Sequence, residues 1–109
     1  MKMIMAIVQD KDANRLSNAF IDNNVRATKL SSTGGFLKAG NATFIIGIED
    51  ERVDEVLELI KMASKARKEY MTSPLTMDIA MDASFSHPVE IEVGGATVFV
   101  LPVEGFYHF

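Results

Sequence analysis

The 109-residue chain contains no cysteine. That removes disulfides, thiolate nucleophiles and thiolate metal sites, and it fits a reducing compartment. Histidine is nearly absent: His87 and His108 are the only two, and neither stands at metal-ligand spacing from another good ligand. No metal site is expected. Long hydrophobic runs are missing too. The opening segment MKMIMAIVQDKD is too short for a signal-peptide core and far too short to span a bilayer, so it reads as a first strand of a cytoplasmic protein with no membrane insertion. Positive charge is in deficit, with a net charge of −4. The field of the whole molecule repels polyanions, which speaks against nucleic-acid binding but leaves room for a small phosphate-bearing ligand held by a few local cations.

Ordinary globular composition remains, 48% apolar and 24% charged, at a length suited to one domain spanning residues 1–109. Met1 to Val8 is almost continuously apolar and predicts a buried strand, followed by a helix capped by Asp10 or Asp12. Ala13, Leu16, Ala19 and Phe20 fall on one helical face, and Asn23-Asn24 stops that helix because Asn tolerates the left-handed conformation. Val25 to Ser31 reads as a second strand and Ala42 to Ile48 as a third, with a short loop around residues 32–41 marked by Gly34-Gly35. Asp50 is expected to cap a second helix carrying Val53, Val56, Leu57, Ile60 and Ala63 on one face. Lys65-Ala66-Arg67-Lys68 suits the negative end of its dipole.

Residues 69–87 show no clear period and predict a long, flexible loop. Val89, Ile91 and Val93 then alternate with Glu90 and Glu92. Gly94-Gly95 predicts a two-residue hairpin turn into the strand Ala96 to Leu101, which Pro102 ends. The order is the α+β, ferredoxin-like βαββαβ plan with an additional C-terminal hairpin strand, an antiparallel sheet bearing both helices on one face. The first and last strands are apolar on both parities although helices cover one face only. Self-association is the simplest cover for the other.

Asn24, Arg26 and Thr28 sit two residues apart and would share a strand face, offering amide, guanidinium and hydroxyl groups to phosphate and base edges. The same spacing describes an ordinary solvated strand face. Thr33-Gly34-Gly35-Phe36-Leu37 would let a ligand approach backbone N–H groups beside an aromatic ring, or would form a turn beside a core Phe. Asn41 is a turn residue or an amide aimed at the same pocket. Asp78 and Asp82, four apart, lack the acidic surroundings of a cation site, and Glu90 with Glu92 lacks a neighbouring base or nucleophile. Met71, Met77 and Met81 suit an adaptable contact surface or pack back on the sheet.

Three runs, VQDKDANRL, NNVRATKLSSTGGFLKAGNATFIIGIED and PVEIEVGGATVFVLPV, together resemble the PII-like cyclic di-AMP receptors of Gram-positive bacteria. The resemblance implies a homotrimeric signal-transduction protein that binds cyclic di-AMP between subunits and regulates an unknown downstream partner, without a cofactor and without enzymatic activity. It implies that Arg26 and Asn24 contact phosphate or ribose and that Thr28 and Asn41 bond an adenine edge. Gly35, Phe36 and Leu37 would line the short-loop side, Gly47 would allow close approach on the third strand, and Phe99 would come from the neighbouring subunit. The chain departs from such relatives in the long loop. Where they carry a Pro-Met-Gly-Gly stretch, this chain reads LTMDIAMDASF from Leu75 to Phe85. The alternatives on the same fold are a PII-type sensor of ATP and 2-oxoglutarate, and an acylphosphatase-like hydrolase. The hydrolase would need a glycine-rich phosphate cradle after the first strand, where this chain has Gln9-Asp10-Lys11.

Overall fold

The structure, a computed structural model, describes residues 1–31, 40–71 and 89–109. Strand β1 (Lys2–Gln9) leads into helix α1 (Asp10–Asp22), then β2 (Thr28–Ser31), β3 (Asn41–Ile48), a 3-10 turn (Asp50–Arg52), α2 (Val53–Ser64), β4 (Arg67–Met71), β5 (Val89–Val93) and β6 (Ala96–Pro102). Four strands form one antiparallel sheet in the order β2-β3-β1-β6, and β4 with β5 forms a separate ribbon. This is the ferredoxin-like plan with a strand pair inserted between α2 and the last strand.

Alternation along the strands decides the two faces. Ile4, Ala6 and Val8 of β1 and Ala42, Phe44, Ile46 and Ile48 of β3 are buried on one side, against Ala13, Leu16 and Phe20 of α1 and Val56, Ile60 and Ala63 of α2. The helical spacing read from the sequence marks that core. Phe20 meets Phe44 edge to face, with ring centroids 5.6 Å apart, the arrangement favoured by the aromatic quadrupole. The helix-free face carries Met3, Met5 and Ile7, which are half-buried, together with exposed Leu30, Phe99 and Leu101.

Several local expectations need correction. Gly94 and Gly95 have positive φ, as a tight turn requires, but they do not close a hairpin. β5 pairs with β4 and β6 pairs with β1. The apolar, two-faced β6 completes the main sheet beside β1, while the amphipathic β5 leaves it. Arg67 and Lys68 are not helix-terminal cations, because α2 ends at Ser64 and β4 begins at Arg67. β4 also claims residues 69–71 of the stretch read as a loop. Neither helix has a side-chain cap: α1 starts directly at Asp10, α2 starts after the 3-10 turn, and Asp12 lies buried within the first turn of α1. Asn24, with φ 56°, does end α1 in the left-handed conformation.

Candidate functional site

Cross-strand register gathers a row on the helix-free face. Thr28 is opposite Ile45, Ile45 is opposite Met5, and Met5 is opposite Phe99. Residues directly opposite in an antiparallel ladder project to the same side. Gly47 stands in the adjacent row, opposite Met3, which in turn faces Leu101. Asn41 lies on the same side at the far end of β3, opposite Gln9. Four of the residues singled out by sequence, Thr28, Asn41, Gly47 and Phe99, therefore share one face of one sheet.

They do not share one spot. Thr28 and Phe99 belong to opposite edges of the sheet, separated by three strand spacings or roughly 14 Å. A second correction concerns β2, which begins only at Thr28. Asn24 and Arg26 precede it in the segment that follows α1 and do not alternate with Thr28 along a strand. The left-handed Asn24 redirects the backbone there, and Arg52 ties the segment down by donating to the carbonyls of Asn23 (2.9 Å) and Asn24 (3.3 Å). Arg52 also pairs with Glu55 at 3.0 Å. That bond holds the Glu55 carboxyl below its ordinary pKa and raises that of Arg52. Arg26 is exposed and makes no salt bridge among the described residues. Gly35, Phe36 and Leu37 lie outside the described residues.

At the Asn41 end, an open cleft of about 340 Å³ is lined by Ile7, Gln9, Asn41, Gly94 and Thr97 among others. A Cβ added at Gly47 would meet no atom of the described residues beyond its chain neighbours within 4 Å, so the surface over that part of β3 is open. Beside the cleft stands an arrangement that sequence reasoning missed. Asp12 is fully buried, and Arg67 grips it with Nη2 at 2.8 Å from Oδ1 and Nη1 at 3.4 Å from Oδ2. The bond raises the pKa of Arg67. Lys11 pairs with Glu69 at 2.8 Å and holds that carboxyl below its ordinary range. Nothing in the local sequence signals the Asp12–Arg67 contact, which spans 55 positions and joins two residues each credited with a helix-end role. Glu90 is half-exposed and lies 3.4 Å from Lys68 across the ribbon. Among the described residues no group of three or more His, Cys, Asp or Glu could hold a metal ion, and no helix is long and apolar enough to cross a membrane.

Topology and site together define a ferredoxin-like α+β protein whose polar candidates collect on the open face and edges of its sheet. The chain matches the cyclic-di-AMP receptor family over residues 1–109 and belongs to it. It is also similar to a solved protein of unknown function from Pediococcus pentosaceus ATCC 25745. The two are 60% identical over 99% of this chain and 96% of the other, with a TM-score of 0.77.

Proposed function

We propose that the protein is a homotrimeric sensor that binds cyclic di-AMP at its subunit interfaces and passes the signal to a protein partner by a change in its loops, without catalysing a reaction. The observation that carries this reading is the division of the candidate residues between the two edges of one sheet. Asn24, Arg26 and Thr28 lie at or beside the β2 edge, with Asn41 and Gly47 on the neighbouring strand, and Phe99 lies at the β6 edge. A cyclic assembly that brings the β6 edge of one subunit to the β2 edge of the next unites them once per interface. The apolar side chains left on the helix-free face supply the surface for that association.

The chemistry suits a ligand with two phosphates and two adenines. Arg26 offers a charged fork to phosphate, Thr28 and Asn41 offer donors and acceptors to a base edge, and Phe99, 51% exposed, offers a ring for stacking. The altered residues 75–85 bear on partner choice and leave these positions intact. Thermal unfolding tests the reading. Cyclic di-AMP at about 100 times its dissociation constant should stabilise the native state by roughly 2.7 kcal/mol, and ATP, 2-oxoglutarate and cyclic di-GMP should not. Arg26→Ala should weaken binding by ~1.5–3 kcal/mol, the range for a hydrogen bond to a charged group. A shift with ATP and 2-oxoglutarate in place of cyclic di-AMP would replace the reading with that of a PII-type sensor.

A further inference from the structure

Gln9 occupies the seam between the candidate site and the β4–β5 ribbon. It is the last residue of β1, and across the ladder its partner is Asn41. Its side-chain Oε1 accepts a hydrogen bond from the backbone N–H of Gly94 at 2.8 Å. A backbone N–H can only donate, so the chemistry fixes the amide with its oxygen on Gly94. Gly94, in turn, cannot be replaced or shifted freely. Its φ is +84°, and a Cβ there would lie 2.7 Å from both the Lys65 carbonyl and the Arg67 guanidinium. Arg67 is the residue that grips buried Asp12. The neighbouring Gly95 N–H donates to the carbonyl of Ser64, the last residue of α2.

A contiguous series of contacts therefore runs from Asn41 through Gln9 and Gly94 to Arg67 and Asp12. Every link in it is a backbone ladder, a hydrogen bond or close packing, and it ends on the first residue of β4 and the last turn before β6. We propose that Gln9 is the positioning residue that couples ligand occupancy at the Asn41 end of the site to the setting of the β4–β5 ribbon, with the Asp12–Arg67 pair as the fixed anchor against which the ribbon is set. This rests on the cyclic di-AMP reading above. A ligand that pulls on Asn41 shifts the end of β1, and the Gln9 amide transfers that shift to Gly94 and so to the base of both ribbon strands. Coupling of this kind is established by a response at a distance and not by adjacency alone.

Hydrogen–deuterium exchange on the full chain, with and without saturating cyclic di-AMP, tests it. In the wild type, ligand should change exchange at least twofold at the amides of residues 67–69 and 90–95. Gln9→Met keeps the bulk and removes the acceptor, and at saturating ligand it should lose at least half of that change. Gln9→Glu restores an acceptor for the Gly94 N–H and should recover it. Arg67→Lys, which keeps the charge and loses the fork, should reduce the change in the same way if Gln9→Met fails to fold. An unaltered ligand response in Gln9→Met, or ligand binding in the wild type with no response at these amides, overturns the coupling while leaving the ligand assignment standing. Absence of a thermal shift with cyclic di-AMP in the wild type overturns both.

Discussion

The two faces of the four-stranded sheet are built from the same kinds of residue and meet different fates. On the helix-covered face Ile4, Ala6, Phe44 and Ile46 are almost completely removed from solvent. On the opposite face Met3, Met5 and Ile7 are only half-buried, and Leu30, Phe99 and Leu101 are 51%, 51% and 41% exposed. The first face is a core that one chain completes by itself. The second is left uncovered by the described elements of the chain, and it is also where Thr28, Asn41, Gly47 and Phe99 stand. In the proposed trimer, folding and assembly are separable tasks, written on alternate residues of the same strands.

Breaking the covered face should have the largest effect. Phe44→Ala removes a fully buried ring and its edge-to-face partner, and should cost about 3–5 kcal/mol of unfolding free energy in a denaturant titration. A loss below about 1 kcal/mol would mean that Phe44 is not a central contact of the core. On the open face, Met5→Lys should leave the fold intact, with circular dichroism unchanged, and shift the mass measured by sedimentation from trimer to monomer. An ammonium buried without a partner at an interface costs several kcal/mol. A trimer surviving that change would place the interface elsewhere. The smallest effect is electrostatic and sharpens the comparison at the rim. Glu55 and Glu69 are held below their ordinary pKa of 4.5 by Arg52 and Lys11. Their folded values lie below their unfolded ones, so their contribution is present above about pH 4.5 and is lost as pH falls through the lowered values. Both groups are exposed to solvent, so Glu69→Gln should flatten the acid limb of the melting-temperature profile only slightly. An identical limb would show that the pair contributes nothing.

Much of this was legible in the residues, for reasons that differ by element. Helical faces such as Leu16–Phe20 and Val56–Ile60 announce themselves because burial repeats with the period of the helix. The apolar character of β1 and β6 on both parities was legible too, and the structure leaves their helix-free side half-buried or exposed. The pairing of β5 was not. Gly94-Gly95 carries the local signal of a tight turn, and only long-range competition for the edge of β1 assigns β6 to one sheet and β5 to another. Asp12 and Arg67 were equally hidden, since each has a sufficient local explanation at a helix end and their contact depends on how the ribbon returns to α1. For the site, type and spacing pointed to Thr28 and Asn41 and the family resemblance to Gly47 and Phe99, and the register places all four on one face. Spacing misled at Asn24 and Arg26, where a left-handed residue lies ahead of a strand that begins only at Thr28, so the three do not alternate along one strand.

The distance between Thr28 and Phe99 has a genetic consequence. In the proposed ring no subunit owns a whole site: each lends its β2 edge to one neighbour and its β6 edge to the other. The two edges are then separate units of complementation. A subunit damaged at Arg26 still donates an intact Phe99, one damaged at Phe99 still donates an intact Arg26, and a ring that mixes the two regains whole sites that neither parent can form.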